Sequence, residues 1–207
     1  MLFYTQDDII MPVSKKGNVI MTKAEIRALY KEKRLSIRTD EVFQKSKIIQ
    51  DAFLASDIYK NASRIMLYMP IKNEVQTDKI IKSATLLKKS LLFPVTNRKT
   101  FEITPVLWDK ESEFLEGAFC VNEPVGKKTS RIRQGDVIIV PGICFDKSGG
   151  RIGFGKGCYD RLLAGKSAIK VGFCYDFQIV DKIPEDANDI KMNYLLCESG
   201  WIKCKEE

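Results

Sequence analysis

The chain has 207 residues, 44% hydrophobic and 29% charged, an ordinary composition for a globular protein of one domain. Its 34 Lys and Arg against 27 Asp and Glu leave a formal net charge of +7, which suits anionic partners such as nucleic acid, phosphorylated ligands or polyglutamylated small molecules. There is no histidine, so every Ser-His or Cys-His mechanism is excluded, and six cysteines (Cys120, Cys144, Cys158, Cys174, Cys197, Cys204) without a C-x-x-C spacing do not suggest a Cys/His zinc site.

The first residues, "MLFYTQDDIIMPVSKKGNVIM", lack a basic start followed by a long apolar run, and no stretch reaches the ~18 apolar residues of a membrane helix. Residues 1–21 are therefore read as an extension and 22–207 as a single α/β domain of a cytoplasmic protein with reduced thiols. Thr22 with Glu25 three residues on forms a capping box, and Ile26, Leu29, Tyr30 and Leu35 continue at a near-helical period. A second helix is predicted after Asp40, carrying Val42, Phe43, Ile48, Ile49, Phe53 and Leu54.

"RIMLYMP" reads as a buried strand closed by proline, and "TDKIIKSATLLKK" as a helix capped by Thr77. "SLLFPV" and "FEITPVL" read as strands, residues 107–135 as an irregular charged excursion, and "DVIIVPGICF" as the most buried strand. "CYDRLLAG" is predicted to be a short helix ending at Gly165, followed by strands in "AIKVGFCY" and, last, "NYLLCE". Strands alternating with helices predict a three-layer α/β/α fold with a largely parallel central sheet.

The segment "GGRIGFGKGCYDRLL" (149–163) holds five glycines. Gly155-Lys156 falls where a Walker A loop has its Gly-Lys, yet Gly157 stands in place of the magnesium-binding Ser or Thr. Glycines 153, 155 and 157 let backbone N–H groups approach an anion, Arg151 and Lys156 add full charges, and Asp160 offers oxygen to a hard cation such as Mg²⁺. A solvated glycine-rich hairpin is the plain alternative. Taken singly, Lys23 and Arg27 read as a solvated helix face, Glu74 and Asp189 as surface or turn residues, and Met69 as core.

Read whole, "VPGICFDKSGGRIGFGKGCYDRLL" resembles the signature of the 5-formyltetrahydrofolate cyclo-ligase family. Lys23 and Arg27, Glu74 in "MPIKNEVQT", "NEP" at 122–124, Gln178 in "CYDFQIV" and Asp189 in "ANDI" follow that pattern in order, over roughly residues 22–198. The resemblance implies an ATP- and Mg²⁺-dependent cyclisation of 5-formyltetrahydrofolate to 5,10-methenyltetrahydrofolate. It implies ATP on Lys23, Arg27, Arg151, Ile152, Gly153, Phe154, Gly155, Lys156, Gly157, Cys158 and Tyr159, with Lys156 and Arg151 catalytic. It further implies folate on Met69, Glu74 and the segment Phe154, Gly155, Lys156, Gly157 and Cys158, and Mg²⁺ on Asp160 and Asp189.

The chain departs from the family at Cys158, where a tyrosine is common, at Asn188, often histidine, and at Met192-Asn193, which replaces a more usual Val-Asp and removes a carboxylate. The expected partners are small molecules, ATP and a reduced folate with or without a polyglutamate tail, and the expected assembly is a monomer without membrane or nucleic-acid partner. Two competing readings stay open: a basic phosphate- or RNA-binding α/β module without ATP turnover, and a sugar-phosphate or CoA-handling enzyme. The RNA reading has against it dispersed basic residues and no aromatic-basic stacking motif.

Overall fold

The computed structural model describes residues 21–109, 113–118, 121–124 and 128–205. The expected N-terminal extension thus lies outside the described residues apart from Met21, and so does Cys120. Helix α1 (Lys23–Leu35) starts from the capping box read in the sequence: the Thr22 hydroxyl accepts from the Glu25 amide, and Glu25 accepts from the Thr22 amide at 2.7 Å. Helices α2 (Thr39–Ala55), α3 (Asp57–Asn61), α4 (Asp78–Leu86) and α5 (Cys158–Leu163) complete the helical set among the described residues.

The central sheet has seven strands: β1 (Arg64–Met66), β2 (Ser90–Thr96), β3 (Ile103–Trp108), β6 (Val137–Pro141), β9 (Ile169–Phe173), β11 (Tyr194–Cys197) and β12 (Gly200–Lys203). Their spatial order is β12-β11-β9-β6-β1-β2-β3. The four inner pairings are parallel, and the outermost strand at each edge, β3 and β12, runs antiparallel to its neighbour. Period-2 alternation sends Ile65, Leu91, Phe93, Val137 and Ile139 to one face, where they meet Ile49, Phe53 and Ile80 of α2 and α4. Met66, Leu92, Ile138 and Val140 point to the other face, against Leu162 and Leu163 of α5 and the ring of Phe145. Apolar runs buried on both faces are what a parallel sheet requires, and the α/β prediction holds.

The outer layer on the α5 side is shared with a second sheet of β7 (Cys144–Asp146), β8 (Arg151–Ile152) and β10 (Ile179–Val180). Here the reading of "DVIIVPGICF" as one strand is corrected. Pro141 has no N–H to extend the central ladder, and the chain leaves it at Gly142 to form β7 in the other sheet. A side chain at Gly142 would stand 2.4 Å from the Phe145 ring, so the crossover needs glycine. Helix α1 lies on this second sheet, with Ile26 and Tyr30 against Ile143, Cys144 and Ile152.

Other differences are local. "RIMLYMP" is cut to β1 because Tyr68 leaves the ladder, its hydroxyl donating to the Val75 carbonyl at 2.8 Å. Thr77 occupies the N-cap of α4 but gives its hydroxyl to the Tyr68 carbonyl, and Gln50 accepts from the Lys79 amide instead. The excursion at 107–135 contains a hairpin, β4 (Phe114–Glu116) with β5 (Asn122–Pro124), seated through Phe114 on Phe93 and Trp108. Phe43 and Ile48, expected on the apolar stripe of α2, are exposed.

Candidate active site

The chain progresses from β1 to β2 on one side and from β6 to β9 and β11 on the other, so the order reverses between β1 and β6. A crevice outside the carboxyl ends of strands at such a reversal is where α/β sheets hold ligands. A cavity of about 540 Å³ lies there, lined by the segments that follow β1 (68–74) and β6 (141–160), by Lys23 and Arg27 of α1, and by Asp186 and Asp189. Every residue expected at the site lines it: Lys23, Arg27, Met69, Glu74, the run Arg151 to Tyr159, Asp160 and Asp189.

The glycine-rich segment is a hairpin followed by a turn. Its base is held by Asp146, whose Oδ1 accepts from the Ser148 and Gly150 amides and whose Oδ2 accepts from the Ile183 amide. That buried carboxylate ties the β7–β8 hairpin to the stretch leading to Asp186 and Asp189. After β8 the chain turns through Gly155 (φ 87°) and Gly157 (φ 63°), both in the left-handed region open to glycine, and enters α5. Arg27 Nε donates to the Gly153 carbonyl at 2.8 Å, fixing the turn to α1. Arg161 steadies the far side by donating to the carbonyls of Lys156 and Phe101, each at 2.9 Å.

The charges are paired across the cavity. Arg151, buried, donates to Asp160 Oδ1 at 2.9 Å, and Asp160 also accepts from the Ile190 amide at 3.4 Å. Lys23 reaches both Asp186, at 2.7 Å, and Asp189. Burial alone would lower the Lys23 pKa, but its bonds to the two carboxylates outweigh that and raise it. Burial would likewise raise Asp189, yet the Lys23 bond, the Asp186 amide and the charges of Lys23 and Arg151 pull it below the usual range. Lys156 is exposed, with Nζ 5.0 Å from the centre of the Phe101 ring.

Glu74 forms a further part of the wall, 5% exposed. Burial pushes its pKa up to about 7 against the opposing charge of Arg34 and the Ile71 amide, which donates to Oε2 at 3.1 Å. Met69 lies beside it, half-buried. Phe154 projects over this wall, its ring 5.7 Å from both the Arg34 guanidinium and the Lys72 ammonium. Burial raises the Cys158 thiol and the Tyr159 hydroxyl above their ordinary values.

Several residues at the site escape a reading of the sequence: Tyr68, Lys72 and Asp186 in the lining, and Arg34 behind Glu74, whereas Glu123, in the "NEP" of the family pattern, is marked there without a role. Arg34 had a signal. It follows Ile26 and Tyr30 at intervals of four, which puts it on the buried stripe of α1. Glu123 comes from the β4–β5 hairpin and accepts from the Thr96 amide, a pairing no spacing announces.

A model of the 5-formyltetrahydrofolate cyclo-ligase family matches residues 19–198. The chain belongs to the 5-formyltetrahydrofolate cyclo-ligase family. Among curated relatives, it is 26% identical over 191 residues to the 5-formyltetrahydrofolate cyclo-ligase of Mus musculus, covering 86% of this chain and 94% of the mouse protein. It is 27% identical over 183 residues to the one from Mycoplasma genitalium, covering 86% and 99%.

Solved cyclo-ligase-family structures agree with the fold. The 5,10-methenyltetrahydrofolate synthetase of Aquifex aeolicus superposes with a TM-score of 0.79 at 31% identity over 90% of this chain and 95% of its own. That of Mycoplasma pneumoniae gives 0.70 at 26% identity, over 86% and 99%. The resemblance carried by "VPGICFDKSGGRIGFGKGCYDRLL" is thus a family membership, and the chain is an enzyme of the cyclo-ligase kind. No helix among the described residues is long and apolar enough to cross a membrane.

Proposed function

We propose that the protein converts 5-formyltetrahydrofolate to 5,10-methenyltetrahydrofolate at the expense of ATP, with Mg²⁺. The observation that carries this is one cavity with two chemically distinct walls. Lys23, Arg27, Arg151 and Lys156 surround the glycine turn on one side, and Met69 with the buried Glu74 forms the other.

The formyl oxygen is a poor leaving group while it is bound to carbon as an amide-like oxygen. Its attack on the γ-phosphorus of ATP breaks the bond to ADP and makes an activated N5 imidate phosphate. N10 then attacks the formyl carbon and gives up its proton, and the C–O electron pair leaves with inorganic phosphate to complete the methenyl bridge. Such a sequence asks the protein for alignment and charge stabilisation rather than for a covalent nucleophile, consistent with a site without histidine.

In this reading Lys23 and Arg27 hold the triphosphate from α1. Arg151, aimed by Asp160, orients it, and Lys156 stabilises the transferring phosphoryl group. The exposed ammonium of Lys156, at the tip of a turn gripped by Arg27 and Arg161, is free to follow the phosphoryl group between its two oxygens. Glu74 accepts the adjacent N–H donors of the pterin, and Phe154 with Met69 supplies apolar contact.

Asp160 and Asp189 are the residues that would hold Mg²⁺. Their oxygen chemistry suits it. Among the described residues no three His, Cys, Asp or Glu side chains cluster as a self-sufficient metal site. Two carboxylates completed by phosphate oxygens and water form a usual set for this ion. Once bound, Mg²⁺ would neutralise charge on the β- and γ-phosphates. The test is incubation of the protein with Mg-ATP and 5-formyltetrahydrofolate while following the methenyl chromophore. An ATP-dependent rise is expected, and a folded protein giving none would sink the proposal.

A further inference from the structure

Arg34 is the largest fully buried side chain among the described residues, 1% exposed, and it is not among the residues expected at the site. One terminal nitrogen lies 3.1 Å from the Gly142 carbonyl and 3.4 Å from Glu74 Oε1. Its Nε and other terminal nitrogen have no hydrogen-bond partner among the described residues. A guanidinium desolvated this far is costly unless something returns the cost, and the contact to Glu74 is its one ion pair among the described residues. The far end of Arg34 is also fixed, because Asn73 beside Glu74 donates to the carbonyls of Arg34 and Ile37 at 3.1 and 3.0 Å. The two residues are thus locked together through both side chain and backbone.

From this geometry we infer that Arg34 is a positioning residue for the folate: from α1 it keeps the Glu74 carboxylate ionised and turned toward the cavity, ready to accept paired N–H donors. This rests on the folate reading of the Glu74 wall given above. Lys23, Arg27 and Arg34 lie at intervals of four and seven along α1, so one helix presents cations to both halves of the site. The charged and titratable groups facing Glu74 are Arg34 from α1, Lys72 from its own turn, Tyr68 at the end of β1, Tyr159 on α5 and Tyr175 after β9. Of these the three tyrosines remain neutral, because burial raises each above its ordinary value. The two cations therefore set the charge of Glu74, and Arg34 is the one in direct contact. Burial works against ionisation, so removing Arg34 moves Glu74 toward the protonated form, which offers one acceptor fewer to the ligand.

The experiment compares wild type with Arg34→Lys, Arg34→Met and Glu74→Gln, measuring KM and kcat for each substrate from about pH 6 to 9. Arg34→Met is expected to raise KM for the folate about fivefold at neutral pH, the fall in ionised Glu74 that a rise of about one pKa unit would cause, with KM for ATP unchanged within about twofold. The acid limb of folate binding shifts to higher pH in Arg34→Met and partly returns in Arg34→Lys. In a Glu74→Gln background, Arg34→Met has no further effect on folate KM. An unmoved acid limb, or effects that simply add in the Gln background, overturns the inference. If Arg34→Met does not fold, the same cycle run with Arg34→Lys and Glu74→Gln decides. Folate binding by calorimetry on the same variants separates the two readings: it still tests the Arg34–Glu74 coupling if the wild type binds folate but forms no chromophore.

Discussion

Arg151 and Asp160 face each other at 2.9 Å across the glycine turn, and Lys23 bonds to Asp189 in the same cavity. Two of the four cations proposed for phosphate, Lys23 and Arg151, are therefore partnered with the carboxylates proposed for metal. Phosphate arriving at Lys23 or Arg151 would compete with a carboxylate for it, and a divalent cation arriving at Asp160 or Asp189 would compete with a side-chain cation. Together the two proposed ligands would satisfy all four groups at once.

Nucleotide and Mg²⁺ are accordingly expected to bind with positive coupling of about tenfold or more, roughly 1.4 kcal/mol. Titration calorimetry of Mg²⁺ with and without a non-hydrolysable ATP analogue measures it. Asp189→Asn should remove much of the coupling without weakening metal-free nucleotide, since it removes one of the two carboxylates that hold Lys23. Equal Mg²⁺ affinity in both titrations would refute the exchange.

Lys156→Ala should keep the fold and lose catalysis. The side chain is exposed, so stability should change by no more than about 0.5 kcal/mol. Loss of a group aimed at charge developing in the transition state should lower kcat by about 10²–10³-fold. Thermal melts beside chromophore kinetics check both halves, and wild-type turnover in this variant would remove Lys156 from the mechanism.

Glu74 should make the protein less stable as pH rises. Its folded pKa, about 7, lies above its ordinary value of 4.5. The folded state therefore holds the proton more tightly, and this contribution is fully present below the ordinary value and lost as pH climbs through about 7. Glu74→Gln should then raise Tm relative to wild type at about pH 8, with the advantage shrinking toward pH 5. The proposed folate contact would need the opposite, an ionised Glu74, so stability and affinity would trade against each other at this residue. A Tm difference that is flat with pH would contradict the assignment.

Gly155→Ala tests the turn. At φ 87° a side chain is strained, and its Cβ would come within 3.2 Å of the Arg27 guanidinium. The strain alone amounts to about 1–2 kcal/mol, and the displaced Arg27 loses its hold on Gly153. KM for ATP is expected to rise about tenfold, the equivalent of about 1.4 kcal/mol of lost binding. Initial rates at varied ATP will show it, and an unchanged KM would show that the turn tolerates a side chain.

Much of this fold follows from local signals. Thr22 and Glu25 cap α1 as read, and the apolar runs of β2, β3, β9 and β11 stand where their burial requires. What was hidden depends on distant partners. The break between β6 and β7 rests on Phe145, three residues on, packing against Gly142, and on Arg34, 108 residues away, donating to the Gly142 carbonyl, a contact no strand pattern announces. Thr77 caps less than expected because Tyr68 offers its hydroxyl a carbonyl. The strand β12 alternates half-buried residues on an edge, a pattern too weak to stand out. At the site, glycine spacing marked the turn, but Arg34 on a helix stripe looks like any amphipathic position until Glu74 appears beside it.

The Lys23–Asp189 contact joins residues 166 apart, and the Arg34–Gly142 bond spans 108. Nearly the whole chain must therefore find its topology before the two walls of the cavity can face each other, and the loop entropy of that closure falls on the last contacts made. Helices such as α2 draw on local bonds and can form early. Recovered catalytic competence during refolding should lag behind recovered helicity, so that formation of the proposed methenyl product would serve as a clock for the completion of the fold.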